Sequence, residues 1–293
     1  MKRKIALALV AAMTICMVGC GSETATAEQE TPVEETAVEE TAVEETEESE
    51  TTEEATEETA DETKDTEEGK TYIISCDQAF APFAIQQDDG SYTGIDVELL
   101  DAIAKAGGFE YELQPMDFSG IIPALVSGTI DGGMACMNIT EERKESVDFS
   151  DPYYESGVAL VCRADDDSIS TKEDLSGKIA ACKEGSIGQI WCEDNAETYG
   201  YEVTVYPDSA SMMMAVTNGQ ADFLFEDYPT VSYQIKIGEQ AGLRVAIDAV
   251  DEVGEVGFAV KKDTNGELLE KFNAGLAAIK ADGTYDEIIS EYE

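Results

Sequence analysis

The sequence predicts an α/β fold built from mostly parallel sheets with helices on their faces. Three observations predict it. From residue 70 onward, short runs rich in β-branched and aromatic residues alternate with longer stretches of helical periodicity. Gly, Ser, Thr, Asn or Asp marks most of the changes from one pattern to the other. The 224 residues over 70–293 suffice for two modest lobes or one large domain.

The elements follow in order. Residues 71–75 form a first strand. Asp96 is expected to cap a helix that aligns Val97, Leu100, Ile103 and Ala104 and stops at Gly107-Gly108. A strand at 110–113 comes next. Ser119 is expected to start a helix with Pro123 in its first turn and Gly128 beyond its end. An apolar, glycine-containing strand spans 129–137. Thr140 then caps a short helix whose first turn holds Glu141, Glu142 and Arg143. Further strands are expected at 157–162, 179–182, 202–206, 222–225, 243–247 and 256–260, with helical patterns between most of them. Helices at 267–280 and 285–292 close the chain.

Two segments precede this part. Residues 1–20 read as a secretory leader, with Lys2, Arg3 and Lys4 before an apolar core too short to span a bilayer. It ends at Val18-Gly19-Cys20, the pattern of a lipoprotein cleavage site, so Cys20 is the expected lipidation site and membrane anchor. Met17 departs from the Leu usual there. Residues 21–69 carry 21 acidic residues against one lysine in a loose Val-Glu-Glu-Thr-Ala repeat. Too little apolar surface is present to offset the entropy of ordering, so the segment reads as a disordered acidic tether. A flexible coil of that length would span about 40 Å, and like charges extend it.

Composition excludes several function classes. The part from residue 70 holds 43 acids and 14 bases, a net charge near −29. Such a surface repels nucleic acid and anionic lipid. There is no histidine, which removes Ser-His-Asp and Cys-His nucleophiles and makes a zinc site a poor expectation. Five cysteines follow Cys20, an odd number without a CxxC pair, and they read as small buried thiols rather than a disulfide framework. No cofactor or metal is expected.

In α/β sheets ligands gather at the carboxyl ends of strands. Four such ends stand out: the loop Cys76-Asp-Gln-Ala-Phe-Ala-Pro-Phe83, the Arg143 segment, the turn Cys182-Lys-Glu-Gly-Ser-Ile-Gly188, and Phe225-Glu-Asp-Tyr-Pro229. Arg143 presents a rigid fork suited to a carboxylate. Ser186 can cap the next helix and leave backbone N–H groups aimed at an anion. Together with Asp227 as partner of an ammonium, these groups match an α-amino acid zwitterion.

The same segments carry a family resemblance. The runs Asp77-Gln-Ala-Phe-Ala-Pro-Phe, Gly94-Ile-Asp-Val-Glu-Leu-Leu, Met116-Asp-Phe-Ser-Gly-Ile-Ile-Pro-Ala-Leu, Thr140-Glu-Glu-Arg, Asp148-Phe-Ser-Asp-Pro-Tyr-Tyr, Lys183-Glu-Gly-Ser, Glu226-Asp227 and Gly283-Thr-Tyr-Asp-Glu-Ile-Ile resemble those of the polar-amino-acid binding proteins of ABC importers. These are periplasmic-binding proteins of type II (solute-binding protein family 3), and the run from Met116 is most similar to glutamine receptors. The resemblance implies two lobes, 70–152 plus 257–293 and 158–251, joined by crossings at 153–157 and 252–256. It implies that Arg143 and the Ser186 turn hold the ligand carboxylate and Asp227 its ammonium. Phe80 and Phe118 would sandwich the aliphatic stem, and Asp77 would meet the side-chain end. Backbone near Ala135 and the side chain of Asn138 would complete the shell. The implied partners are one amino acid and the permease of an importer, for a monomer on the outer face of the cell membrane.

Three positions depart from the family pattern. Cys136 stands where Gly or Ser is usual, Asn138 replaces Thr, and Glu226 replaces the histidine of glutamine receptors. Asp77 and Lys183 at the distal end offer one acceptor and one donor, which suits glutamine. Arginine or lysine, drawn by Glu226 and the acidity, is the alternative. An enzyme with Glu226 and Asp227 as acid and base is a second class, but no group to activate a leaving hydroxyl is evident. A sensor domain would need a signalling or membrane-spanning segment, and no stretch beyond the leader reaches that length.

Overall fold

Strands fed directly from one sheet into another set this architecture. A computed structural model describes residues 69–251 and 254–292. The leader with Cys20, residues 21–68 of the acidic segment and residues 252–253 of the second crossing lie outside the described residues.

The first half of the chain gives β1 (Thr71–Ser75), the short hairpin β2 (Ile85–Gln86) and β3 (Tyr92–Thr93), α1 (Ile95–Gly107), β4 (Glu110–Leu113) and α2 (Phe118–Ser127). Then come β5 (Gly132–Gly133), α3 (Glu141–Lys144), β6 (Val147–Phe149) and β7 (Tyr154–Ser156). The second half gives β8 (Val158–Arg163), a 3-10 turn at Lys172–Leu175, β9 (Ile179–Lys183), α4 (Ile187–Tyr199), β10 (Glu202–Tyr206), α5 (Ser209–Thr217) and β11 (Phe223–Asp227). It ends with α6 (Tyr228–Lys236), β12 (Leu243–Ile247), β13 (Gly254–Val256), β14 (Ala259–Lys261), α7 (Gly266–Asp282) and α8 (Thr284–Ser290).

One five-stranded sheet has the order β4-β1-β5-β14-β6 and the other β10-β9-β11-β8-β12. A two-stranded antiparallel ribbon of β7 and β13 runs between them. In each sheet a single strand, β14 or β8, runs against its neighbours. Both are the direct continuation of a ribbon strand. A strand arriving from the other sheet enters at the end where β1, β5, β9 and β11 finish, so it must run the opposite way. No crossover helix is available to turn it around.

Each sheet is covered on both faces. In the first, Tyr72 and Ile74 of β1 face a cluster shared with α1, α7 and α8, while Ile73 packs with α2 residues Ile121 and Leu125. In the second, Leu160 and Phe225 face Trp191 of α4, and Val161 and Leu224 face Met212 and Met213 of α5. This double burial explains why β8 and β11 read as near-continuous apolar runs.

Three elements differ from expectation. Asp96 does not cap α1: the helix starts after Gly94, and Ile95 and Asp96 donate their N–H groups to the carbonyls of Pro82 and Phe83 at 2.9 and 3.0 Å. With those donors satisfied, the Asp96 carboxylate turns inward. Gly94 is required there, with φ at 116° and a would-be Cβ 2.5 Å from the Phe83 carbonyl oxygen. Helix α2 starts at Phe118, one residue early, which puts Pro123 in its interior. The strand expected over 129–137 pairs only at Gly132–Gly133, because the chain then leaves the sheet through Cys136, whose φ is +45°.

Candidate functional site

Four strand ends converge where the two sheets face each other. From β1 come Asp77 and Phe80, both buried, with the Phe80 ring stacked on Phe83 at 5.7 Å. Phe118 opens α2 beside them. From β5 the chain runs on through Ala135, Cys136 and Asn138, all buried. Thr140 caps α3 as expected, accepting the Arg143 N–H at 3.1 Å, and the cap fixes where the guanidinium goes. Arg143 is 6% exposed. It donates to the Asn138 carbonyl at 2.7 Å and, across to the second sheet, to the Gly185 carbonyl at 2.9 Å. Its guanidinium also lies 5.5 Å from the Phe118 ring centre.

The second sheet answers with Lys183, Ser186, Glu226 and Asp227. Lys183 ends β9 and its ammonium is ion-paired with Asp77 of the first sheet. The same nitrogen sits 4.3 Å from the Phe80 ring centre and 5.0 Å from that of Phe118. Ser186 caps α4 by accepting the Gln189 N–H at 3.1 Å, while its hydroxyl donates to the Lys183 carbonyl at 2.8 Å. Asp227 accepts the Ser156 hydroxyl at 2.6 Å, which ties it to the ribbon strand β7. Glu226 accepts the Asp227 N–H through Oε1 at 2.9 Å, and the buried Ser209 hydroxyl lies against its carboxyl.

Nine of the eleven residues singled out from the sequence line one small cavity: Phe80, Phe118, Ala135, Cys136, Asn138, Lys183, Ser186, Glu226 and Asp227. Asp77 and Arg143 stand behind its wall, on Lys183 and on the Asn138 carbonyl. Ile187 also lines it and was missed, because an apolar residue after a cap has no polar signature. A larger opening, lined by Tyr154, Tyr228, Tyr233 and Tyr292 among others, lacks this convergence of buried charge.

Electrostatics follow from burial. Desolvation lowers the Arg143 pKa to about 10, opposed mainly by Asp227, so the guanidinium stays charged at neutral pH. Burial pushes Glu226 up to about 7, reinforced by Asp227 and opposed by Lys183. Asp227 is raised by burial and held back by Ser156, Lys183 and Arg143. Asp96 is another missed residue. Its Oδ1 accepts the Tyr153 hydroxyl at 2.7 Å, and that hydroxyl accepts the Cys136 N–H at 3.0 Å. Burial raises Asp96 to about 7, against the lowering effect of Tyr153 and of the Cys136 N–H. Burial also raises the Cys136 thiol well above its usual value, which keeps it in the neutral thiol form.

A buried carboxylate pair from the second sheet thus lines a small cavity, with a buried guanidinium from the first lobe behind its wall. Residues 72–293 match the family model of bacterial extracellular solute-binding proteins, family 3. The chain belongs to this family. A probable histidine-binding protein of Campylobacter jejuni is 33% identical over 215 residues, 73% of this chain and 81% of that relative. A solved structure of an ancestral arginine-binding protein bound to arginine is 38% identical with a TM-score of 0.71, covering 76% of this chain and 97% of the other. One of an ancestral arginine-binding protein bound to glutamine is likewise 38% identical, with a TM-score of 0.70 and the same coverage. The two-sheet architecture is therefore that of type II periplasmic-binding proteins. The relatives in this family are named as amino-acid-binding proteins, which are solute-binding proteins and not enzymes.

Proposed function

We propose that this protein is a lipid-anchored extracellular receptor that closes on one polar L-amino acid and delivers it to the permease of an ABC importer. One observation carries the reading. Arg143 on the first lobe, buried behind the cavity wall on the Asn138 carbonyl, and Asp227 on the second, buried on that wall, bring opposite charges to one cavity. A ligand held by both makes contacts available only in the closed arrangement, which is what drives closure. In this reading lobes 70–152 plus 257–293 and 158–251 move about crossings at 153–157 and 252–256. The β7–β13 ribbon supports it, because among the described residues only those strands and their flanks connect the sheets. Cys20 anchors the chain, which works as a monomer, and the acidic tether gives the receptor reach.

Two side-chain classes fit. A neutral amide, glutamine, suits Asp77 as acceptor and Lys183 as donor. A basic side chain is favoured by a separate observation: Asp77 and Lys183 are engaged with each other, while Glu226 adds a second buried carboxyl beside Asp227 on the cavity wall. The structures of ancestral arginine-binding protein with arginine and with glutamine support keeping both.

Calorimetry against the twenty L-amino acids tests the reading. Micromolar or tighter binding without turnover is expected for at least one polar amino acid. Arg143→Ala should weaken that binding 100-fold or more, as loss of a buried charge partner does. Binding that survives Arg143→Ala unchanged removes the carboxylate clamp.

A further inference from the structure

The wall of the cavity holds one residue in a conformation that its side chain disfavours. Cys136, buried on that wall, has a φ of +45°. Residues other than glycine seldom adopt that region, and where they do the surroundings must hold them there. The chain around it is pinned at both ends. Before it, the Met134 N–H donates to the Ser75 carbonyl of β1 at 2.8 Å; after it, the Met137 carbonyl accepts the Gly257 N–H at 3.0 Å. Between those points the Cys136 N–H donates to the Tyr153 hydroxyl at 3.0 Å, and that hydroxyl donates to Asp96 Oδ1 at 2.7 Å. A trans peptide is planar, so fixing the Cys136 N–H also fixes the Ala135 carbonyl, which points the opposite way. Ala135 and Cys136 both line the cavity.

Tyr153 is joined to more than this wall. Its N–H donates to the Val256 carbonyl at 2.9 Å, where β13 ends, and its own carbonyl accepts the Tyr285 hydroxyl of α8 at 2.6 Å. It stands immediately before β7, so its backbone belongs to the ribbon between the sheets while its hydroxyl reaches the cavity wall. A tyrosine that served only the core would be satisfied by Asp96; this hydroxyl also accepts from the main chain of the wall.

We propose that Tyr153 is a positioning residue for the bound amino acid: its hydroxyl, seated by Asp96, holds the Cys136 turn and the ligand-facing backbone in place relative to the ribbon. This rests on the receptor reading above. Without the hydroxyl, the Cys136 N–H loses that partner and the turn relaxes toward negative φ, which rotates the peptide between Ala135 and Cys136. Ligand affinity falls because backbone set for the ligand has moved, while the ring keeps its place in the core of the first sheet. A glycine at position 136 takes a positive φ at no steric cost, so it holds the turn without the hydroxyl.

The test is a double-mutant cycle on the full chain, with Tyr153→Phe, Cys136→Gly and both together, read by calorimetry and thermal unfolding. The twenty L-amino acids are screened on the wild type, and the tightest binder is carried through the cycle. Tyr153→Phe should weaken its binding at least tenfold in the wild-type background and less than threefold in the Cys136→Gly background. The drop in melting temperature should be similar in both. Equal losses of affinity in the two backgrounds overturn the proposal, and so does a Tyr153→Phe variant that binds like the wild type. Should Tyr153→Phe fail to fold, amide hydrogen exchange on the wild type decides. The bound amino acid should then slow exchange at Cys136 at least tenfold more than at Ile103 in the core of the same sheet, and equal protection overturns the proposal. If no amino acid binds the wild type, the receptor reading falls as well; binding without coupling between the two positions sinks only this proposal.

Discussion

Lys183 is held between one carboxylate and two aromatic rings, and all three come from the first sheet and its flanking segments. Moving both charges of such a pair out of water costs several kcal/mol per ion, so it persists only because Asp77 and the ring faces offset the loss. Lys183→Gln removes the cation and leaves Asp77 buried without a counter-charge. The cleft becomes more negative by one. Affinity for glutamine should fall about tenfold and affinity for arginine should rise, read by competition calorimetry. An unchanged glutamine affinity would take Lys183 out of the pocket. Cys136 acts through its backbone: its positive φ turns the chain away from β5 and brings its N–H to Tyr153. It matters here as a shape, not as a thiol.

At the scale of elements, two features carry testable energy. The turn from β9 into α4 is fixed by the Ser186 cap, and Ser186→Ala should cost about 1 kcal/mol in denaturant unfolding. The second feature is the contact of α1 with α7, which admits no side chain at two glycines. A Cβ on Gly275 would come 2.3 Å from the Ile103 carbonyl oxygen, and one on Gly107 equally close to that of Lys271. Backbone cannot yield as a side-chain tip can, so Gly275→Ala should destabilise by about 2 kcal/mol or more. Ligand affinity should stay near wild type, since neither helix lines the cleft. A variant as stable as the wild type would mean that the helices slide apart freely.

For the whole molecule, buried carboxyls tie stability to pH. Asp96 and Glu226 both have folded pKa values raised to about 7, against ordinary values of 3.8 and 4.5. A raised acid contributes stability that is fully present below its unfolded pKa and is lost as pH rises through the folded one. Unfolding free energy should therefore fall between about pH 4 and pH 7, by at most on the order of 4 kcal/mol for each group. The excess of acids over bases adds to the same trend through self-repulsion. Glu226→Gln and Asp96→Asn should each flatten the slope, measured as urea midpoints at pH 4.5, 6 and 7.5. A slope untouched by both would assign the effect to surface charge alone.

Local signals carried much of this in the sequence. The alternation of elements, the Thr140 and Ser186 caps and the four strand-end loops are set by neighbours within a few residues, so they could be read in order along the chain. So could the residues of the cavity wall, since loops after strands are where such sheets bind ligands. What the sequence left open was pairing. Asp77 and Lys183 are 106 residues apart, and nothing near either one announces the other. Asp96 has the appearance of a helix cap, yet loop carbonyls satisfy the helix start and free it to become a buried acid. Glu226 reads as one more charge in a strongly acidic chain until the fold buries it beside Asp227. The sequence by itself determined most of the elements and pointed to the candidate site, because periodicity and capping act over a turn or two. Only the tertiary structure decided which charges cancel and which remain, because that depends on separations of a few ångströms in a medium of low dielectric.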